Sequence, residues 1–328
     1  MRQIIFEAPV LLTDRISGSW IDLSSMKRYQ ASQTAEYMAF FRATESVRPP
    51  DCRLFADPFA VHFIRPSLRR AVWLSKTAAL ANLVNWYADR RVPGARTSAI
   101  ARTRFIDDVL ARAIEEDIRQ LVILGAGFDC RAYRLRYLDR TTIFELDHPA
   151  TLAWKMAKLR EVLPELPENV RFVKIDFIHG RLPEELIRAS FQPSRPAVFL
   201  WEGVTNYLTG EAVDAVLQYV ASCSPGSQII FTYVHSGILD GSVFFEGGDR
   251  LLRDVARLEE SWTFGLSPDH LAEFLRERGL CLGCDLSARE YRSRYFGAAA
   301  QRMKGYEFYH VAVARVPEEE NARASTRT

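Results

Sequence analysis

The chain has 328 residues, 48% of them hydrophobic and 26% charged, and its 43 Lys and Arg residues against 41 Asp and Glu residues give a formal net charge of +2. This length and composition are typical of one large α/β domain with additions, or of two domains. The balanced charge provides no basic field for nucleic acid, and no apolar run is long enough to span a membrane. We therefore expect neither nucleic acid nor a membrane as a partner.

The first 95 residues predict a helical cap in front of a sheet domain. Apolar residues have helical spacing over residues 34–44, a second helix is predicted over residues 57–64, and a third over residues 67–90. The basic residues between 65 and 70 are interpreted as a solvated helix face. The N-terminus shows no signal-peptide pattern, which favours a cytoplasmic protein.

From residue 96 onward the pattern becomes regular, and the sheet domain is expected to span residues 96–328. After a helix over residues 98–116, short apolar runs alternate with helical segments. The predicted strands are residues 121–124, 142–146, 170–175, 198–201 and 228–233, and the helices between them are residues 149–162, 183–189 and 211–222. Such alternation predicts a parallel sheet with helices on both faces.

The C-terminal part of the sheet domain begins with an irregular, glycine-containing stretch. Residues 235–268 predict a lid or binding loop, because loops of this length in compact domains are usually functional. Ser267 and Pro268 then begin a helix that ends at Gly279. Residues 280–286 and 307–316 predict an antiparallel hairpin at one sheet edge, which brings the number of strands to seven.

The cysteines give no indication of a metal site or of disulfides. Cys281 and Cys284 form a C-x-x-C pair, but no second pair or nearby histidine completes a zinc site. We therefore predict no metal and place this pair in a strand. The five cysteines are odd in number and scattered, which is typical of reduced thiols in the cytoplasm.

A glycine turn follows the first predicted strand. Four apolar residues end in Gly125-Ala126-Gly127, where the backbone must approach another group closely. Asp147 ends the next predicted strand, 20 residues after Gly127. A glycine turn after one strand and an acid after the next is the pattern by which a Rossmann-type sheet holds a nucleoside, with the acid on the ribose hydroxyls.

The residues after this turn favour S-adenosylmethionine (SAM) over a dinucleotide. A dinucleotide site needs a third small residue, and Cys130 occupies that position with Asp129 before it. An acid would repel a pyrophosphate but attract a sulfonium and an ammonium. An NAD-dependent dehydrogenase and a nucleotide-binding protein without turnover remain as alternatives.

The first predicted parallel strand ends in the glycine turn, and polar side chains lie at the ends of the other four, where ligands of open α/β sheets bind. They are Glu145, Asp147, His148, Asp176, Glu202, Asn206, Tyr207, Tyr233 and His235. One such acid would commonly cap the following helix, but several at successive strand ends would surround a cationic ligand with negative charge. This arrangement again favours SAM.

Four segments with matching order and spacing resemble the leucine carboxyl methyltransferase family. They are residues 101–108, 123–134, 144–149 and 201–208. The resemblance covers about residues 30–235 and is closest to a bacterial branch that includes polyketide O-methyltransferases of the tetracenomycin type. It implies a class I SAM-dependent methyltransferase, whose Rossmann-like, seven-stranded, mostly parallel sheet carries helices on both faces.

The resemblance also implies roles at the methionine end of SAM. Arg42 and Arg102 would reach the methionine carboxylate, for which bidentate guanidinium pairing is suited. Gly125 and Gly127 would let the backbone pass the amino-acid part. Glu202 would lie near the amino group.

At the nucleoside end, the resemblance implies that Asp147 holds the ribose hydroxyls and that Asp176 and Phe177 bracket the adenine. Tyr207 would lie near the methyl group and the acceptor, with packing under the lid as the alternative. Direct in-line transfer is expected, with positioning as the main contribution of the protein. An ionised carboxylate acceptor needs no base, whereas a phenol would need one, for which His148 and His235 are the candidates.

The sequence does not name the acceptor. A small natural product such as a polyketide acid is preferred, and a protein C-terminal carboxylate is the alternative substrate. Specificity is expected in residues 1–95 and 235–268, where aromatic residues line a hydrophobic pocket or form core. These aromatic residues are Trp73, Trp86, Phe244, Phe245 and Trp262. Whether the chain forms a homo-oligomer is left open.

Overall fold

Seven strands form one sheet in the computed structural model, which describes residues 33–177, 181–257 and 260–318. The strands are β1 Gln120–Leu124, β2 Thr142–Asp147, β3 Val170–Lys174, β4 Val198–Trp201, β5 Gln228–Val234, β6 Cys281–Ser287 and β7 Tyr309–Arg315. Their order is β3-β2-β1-β4-β5-β7-β6, and β7 is antiparallel to both of its neighbours. The chain therefore reverses its direction of winding between β1 and β4, which is where open α/β sheets bind ligands.

The central strands are apolar throughout because both faces of the sheet are covered. Val122 of β1 lies beside Phe144 of β2 and Phe199 of β4, and all three belong to the core on one face. Leu121 and Ile123 point to the other face and belong to a second core. Burial on both faces explains why these strands are continuous apolar runs rather than alternating patterns.

Twelve α-helices occur in the described residues. They are α1 Gln33–Ser46, α2 Pro66–Leu74, α3 Ala78–Arg91, α4 Ala95–Glu115, α5 Arg131–Arg134, α6 Pro149–Arg160, α7 Leu182–Arg188, α8 Gly210–Ala221, α9 Gly237–Asp240, α10 Gly248–Arg257, α11 Leu271–Arg276 and α12 Ala288–Phe296. Helices α7, α8 and α11 contribute to one core, and α4 and α12 contribute to the other. Within the described ranges, no helix has the length and apolarity needed to cross a membrane.

The predicted sheet, its alternation of strands and helices, and the antiparallel pairing of the last two strands at one edge are confirmed. Strands β6 and β7 do pair antiparallel at the edge, yet α12 and the 3-10 turn Gly297–Arg302 lie between them in the chain. Strand β7 also inserts between β5 and β6. The C-x-x-C pair lies in β6, as predicted, and both cysteines are free.

Two predictions in the cap region are wrong. The predicted helix over residues 57–64 contains only the 3-10 turn Ala60–Phe63, whose first backbone N–H donates to the Asp57 carboxylate. The predicted helix over residues 67–90 is interrupted after α2. There the Ser75 hydroxyl donates to the Ala71 carbonyl oxygen, a local bond that competes with continued helix.

The stretch predicted as a lid is less irregular than expected, because residues 235–257 include α9 and α10. The cap helices share an apolar core with the sheet region. In this core Phe63 stacks on Phe128 with ring centroids 5.5 Å apart. The domain boundary near residue 95 stays a prediction.

Candidate active site

A cavity of about 320 Å³ opens at the carboxyl ends of the central strands. Its volume is at the lower end of the range of about 300–1,000 Å³ that is typical of ligand pockets. The lining comes from α1, α4, the turns after β1 to β4, and the segment before β7. It consists of Thr34, Ala35, Met38, Arg42, Arg102, Ile123, Leu124, Gly125, Ala126, Gly127, Phe128, Asp129, Asp147, Phe177, Glu202, Gly203, Val204, Asn206, Tyr207, Trp262, Tyr306 and Tyr309.

Both glycines of the turn have a left-handed backbone, and Gly125 is also closely packed. Gly125 and Gly127 have φ values of 69° and 34°, which side-chain-bearing residues rarely adopt. A Cβ on Gly125 would also lie 2.5 Å from Cγ2 of Val204. Cys130, at the third position of the pattern, has φ of −117° and begins α5, so the backbone there does not require glycine.

We expect Gly125→Ala to lower the free energy of unfolding by about 2–4 kcal/mol, because it adds the clash with Val204 to the cost of a left-handed backbone. Gly226→Ala is the matched control. Gly226 has φ of 81°, but a Cβ added there would meet no atom within 4 Å, so only the backbone cost of about 1–2 kcal/mol applies. Urea unfolding measures both, and equal losses would contradict the packing argument.

The carboxylate of Asp147 joins the end of β2 to the glycine turn. Its Oδ2 accepts from the backbone N–H of Gly127 at 2.6 Å, and its Oδ1 accepts from that of His148 at 2.6 Å. Burial raises the pKa of Asp147, and the two backbone hydrogen bonds oppose this shift. The side chain therefore faces the cavity in a fixed orientation, with lone pairs available to a ligand.

On the opposite side of the cavity from Asp147, the carboxylate of Glu202 lies between two guanidinium groups. Arg102 Nε donates to Oε1 of Glu202 at 2.8 Å, and Arg131 Nη1 donates to Oε2 at 2.8 Å. Burial alone would raise the pKa of Glu202, but Arg131 and Arg102 outweigh it and lower the pKa to about 2. Glu202 is therefore an anion at any physiological pH.

These residues belong to a larger charged network behind the cavity wall. Arg131 also pairs with Asp107 and with Asp129, Arg134 pairs with Asp107, and Arg42 pairs with Asp57 at 2.9 Å. The network contains equal numbers of cations and anions. Its members are Arg42, Arg102, Arg131, Arg134, Asp57, Asp107, Asp129 and Glu202.

A buried ion pair beneath the glycine turn was missed by the sequence analysis. Nζ of Lys155 lies 2.8 Å from Oε2 of Glu145 and donates to the carbonyl oxygen of Ala126 at 3.2 Å. Both charged side chains are 0% exposed. The available signal was the position of Lys155 between Leu152 and Leu159, which places a cation on the buried face of α6.

Aromatic residues and an amide form the far wall of the cavity. Tyr207, Trp262, Tyr306 and Tyr309 line it together with Asn206. Burial raises the pKa of Tyr207 to about 12, so its hydroxyl stays protonated at neutral pH and can donate. The guanidinium of Arg102 lies 4.7 Å from the ring centroid of Tyr309, which connects this wall to the charged network.

The structure brings most of the predicted site residues to one cavity. Those that line it are Arg42, Arg102, Gly125, Gly127, Asp147, Phe177, Glu202 and Tyr207. Asp176 is exposed and does not line the cavity, although Phe177 beside it does. The roles that the resemblance implies for these residues stay predictions.

The two histidines lie outside the cavity lining. Nδ1 of His148 accepts from the backbone N–H of Ala150 and so caps α6. Nδ1 of His235 accepts from Gly237 N–H at 3.0 Å, and the ring packs 5.3 Å from that of Phe245. Burial and the nearby His310 lower the pKa of His235. Both Nδ1 atoms therefore have structural partners.

The aromatic residues expected in a pocket or core have different positions. Trp262 lines the cavity, and Phe245 packs on the core that the cap shares with the sheet. Trp73, Trp86 and Phe244 do neither, because 66%, 58% and 85% of their respective surfaces are exposed. The expectation is therefore wrong for these three residues.

Comparison with solved structures gives the fold. A crystal structure of a "putative methyltransferase" from Thermobifida fusca is 17% identical, covers 85% of this chain and 94% of that one, and has a TM-score of 0.54. A DUF574 family protein from Streptomyces avermitilis is 16% identical, covers 84% and 97%, and has a TM-score of 0.54. The fold is that of class I SAM-dependent methyltransferases.

Sequence comparison gives the family. The model of the leucine carboxyl methyltransferase family matches residues 35–221, and the chain belongs to this family. A relative from Frankia alni is 33% identical over 296 residues, which are 88% of this chain and 96% of the relative. One from Mycobacterium tuberculosis is 30% identical over 262 residues, which are 75% and 82% of the two chains. Both are named "Putative S-adenosyl-L-methionine-dependent methyltransferase". The protein is a SAM-dependent methyltransferase.

Proposed function

We propose that this enzyme transfers the methyl group of SAM to a carboxylate of a small natural product, such as a polyketide acid. The observation that carries the proposal is the composition of the cavity wall, which has aromatic rings and no histidine or lysine among its described residues. A carboxylate with a pKa near 4 is already ionised at neutral pH and needs no base. A phenol would need one, and the described residues that line the cavity include no histidine to serve as that base.

The residues that line the cavity fit the cationic cofactor. When bound, SAM supplies a methyl group that is already activated by the positive charge on sulfur. Asp129 and Glu202 place negative charge beside the cavity and would attract this cation. Arg42 and Arg102 each have five N–H donors, of which Asp57, Phe128 and Glu202 use only some, so donors remain for the methionine carboxylate.

The nucleoside would lie over the glycine turn and β2. Asp147 is oriented by two backbone N–H groups and would accept from the ribose hydroxyls. Phe177 would cover the adenine, while the hydrogen bond proposed for Asp176 would require that exposed side chain to turn toward the base. Helix α1 contributes Met38 to the same wall, in line with the role proposed for the N-terminal cap.

At the acceptor side, the aromatic wall would exclude water and orient the substrate. The Tyr207 hydroxyl, which is protonated at neutral pH, would donate to one oxygen of the acceptor carboxylate and leave the other aligned with the methyl group. This role concerns positioning near the reacting atoms rather than proton transfer. The cytoplasm is the proposed location.

We expect Asp147→Ala to weaken SAM binding by about 1–3 kcal/mol, the loss typical of a hydrogen bond to a buried charged group. Asp139→Ala is the control, because Asp139 is an exposed acid that does not line the cavity. Titration calorimetry with SAM measures both variants. Unchanged affinity in Asp147→Ala would rule out the ribose assignment.

The proposed activity is tested by release of S-adenosylhomocysteine with three sets of acceptors: aromatic carboxylic acids, phenols of the same skeleton, and a peptide with a free C-terminal carboxylate. We expect turnover with the acids, and we expect Tyr207→Phe to reduce kcat more than SAM affinity. Turnover with the phenols alone would overturn carboxyl transfer. Turnover with the peptide alone would identify a protein C-terminus as the substrate instead.

Binding of S-adenosylhomocysteine without turnover of any acceptor would favour a nucleotide-binding protein without catalysis. The remaining alternative is an NAD-dependent dehydrogenase. Titration with the reduced nicotinamide cofactor tests it, because binding to a dehydrogenase would change the fluorescence of that cofactor. We expect no change, because Asp129 faces the cavity where a pyrophosphate would lie.

A further inference from the structure

The outer faces of α2 and α3 expose large apolar side chains in a regular pattern. Trp73 at the end of α2 is 66% exposed, and on α3 Leu83 is 59%, Trp86 58% and Tyr87 61% exposed. Leu80 lies one turn before Leu83 on the same face. We call the surface formed by Trp73, Leu74, Leu80, Leu83, Trp86 and Tyr87 the aromatic face.

Both α2 and α3 also have a side that packs against the core. Val84 and Ala88 of α3, together with Val72 and Leu68 of α2, already pack against the core that the cap shares with the sheet. The aromatic face is therefore a further apolar surface beside the one that packs on the core, and its members have helical spacing. Contiguous apolar patches of this kind on a protein surface mark interaction sites.

The charges around the aromatic face are almost all positive. Residues 65–91 contain six Arg and Lys residues and a single acid, Asp89. Asp89 is paired with Arg96 at 2.6 Å, which lies outside this segment. Four exposed cations have no acid partner among the described residues: Arg70, Lys76, Arg90 and Arg91. The guanidinium of Arg90 lies 5.8 Å from the ring centroid of Trp86, so cation and aromatic ring share one surface.

We propose that the aromatic face binds peripherally to the surface of an anionic phospholipid bilayer. Tryptophan, tyrosine and leucine on one side of a helix with arginine and lysine beside them are the composition that lies in the membrane interface. The cations attract anionic headgroups, and the apolar side chains enter the boundary with the acyl chains. The helices lie on the membrane rather than cross it, which is compatible with their length.

A second copy of the chain fits the aromatic face less well. A two-fold symmetric contact would bring the same patch of both copies together. The unpaired cations Arg70, Lys76, Arg90 and Arg91 would then face their own equivalents without neutralisation. An anionic partner removes this repulsion. The sequence analysis predicted no membrane partner because no apolar run is long enough to span a membrane, but peripheral binding requires no such segment. Binding of the aromatic face to a bilayer is also independent of which acceptor the enzyme methylates.

The test uses flotation of the full chain with vesicles of phosphatidylcholine alone and of phosphatidylcholine mixed with phosphatidylserine. We expect binding to the anionic vesicles only, and we expect it to fall with rising salt. Trp86→Ser should reduce the affinity for anionic vesicles about tenfold, because it removes a large apolar side chain from the interface. The double variant Arg70→Glu, Lys76→Glu should reduce this affinity by about thirtyfold or more, since each surface cation contributes about 1 kcal/mol.

Two control variants carry changes of the same kind, an aromatic residue to serine and a charge reversal, elsewhere on the surface. Phe244→Ser removes an aromatic side chain that is 85% exposed but lies outside the aromatic face, and Arg253→Glu reverses an exposed charge of α10. Both should bind vesicles like the unmodified chain. All variants should keep SAM affinity, which shows that they are folded.

Three outcomes would overturn the proposal. The first is equal binding to neutral and anionic vesicles, and the second is anionic binding that Trp86→Ser and the charge reversal leave intact. The third is a dimer in sedimentation velocity that Trp86→Ser dissociates, because the aromatic face would then be a contact between copies.

Discussion

Lys155→Met should lower the free energy of unfolding by about 3–5 kcal/mol, the loss that follows when one partner of a fully buried ion pair is removed. Lys155 and Glu145 are both 0% exposed, so the remaining carboxylate would have neither water nor a cation. Burial already raises the pKa of Glu145, and loss of Lys155 removes the main opposing influence. Urea unfolding at neutral pH measures the change.

Two variants isolate the buried pair. Lys158→Met removes a lysine of the same helix whose partner Glu161 is exposed, so a much smaller loss is expected. Replacing both Lys155 and Glu145 by Met should recover most of the stability, because apolar side chains of similar volume can substitute for a buried pair. If Lys155→Met costs no more than Lys158→Met, the pair does not support the glycine turn.

Glu202→Gln should lower both stability and cofactor affinity. The guanidinium groups of Arg102 and Arg131 would lose the anion that they share. We expect the free energy of unfolding to fall by about 2–3 kcal/mol. This loss is smaller than that for a fully buried pair, because the Glu202 side chain is 17% exposed. SAM affinity should fall about tenfold or more, since a charged acceptor for the ammonium is removed.

The stability difference between the wild type and Glu202→Gln should depend on pH. The pKa of Glu202 is about 2 in the folded chain against an ordinary value of 4.5, so the stabilising contribution is complete above pH 4.5. It should be lost as pH falls from 4.5 toward 2. Glu246→Gln, at an exposed position, is the control. A difference that stays constant over this range would contradict the ion-pair account.

Much of the fold could be predicted because local patterns determine it. The apolar runs of β1 and β4 and the glycine turn after β1 required no information from distant parts of the chain. The antiparallel pair at the C-terminal edge was predicted, but its connection through α12 was not, because the pairing of β6 and β7 is not local. Two neighbouring strands of a sheet can be joined by α12 as well as by a tight turn, and their sequences alone do not distinguish the two connections.

The candidate site could be predicted where parallel strands bring their carboxyl ends together. Asp147 and Glu202 lie at such ends, and both line the cavity. His148 and His235 also follow strands, yet their ring nitrogens accept from backbone N–H groups two residues later. Whether a polar side chain turns back to its own backbone or toward the cavity depends on local geometry that sequence position does not reveal.

The charged partners and the aromatic face were missed for related reasons. Arg131 pairs with Asp107 and Glu202, which are 24 and 71 residues away in the chain, so their proximity follows only from the folded sheet. Helix α3 has apolar residues on two faces, and periodicity cannot tell which one packs inward. Trp86 therefore looked like a pocket or core residue, although it is 58% exposed.

The central claim is that SAM binds across the carboxyl ends of β1, β2 and β4, between Asp147 and the charged network around Glu202. Titration calorimetry of the unmodified chain with SAM and with S-adenosylhomocysteine tests it most directly. We predict saturable binding of both at one site, with weaker binding in Asp147→Ala and Glu202→Gln. Absence of heat and of any thermal shift with both ligands, in protein that is folded by circular dichroism, would contradict the account.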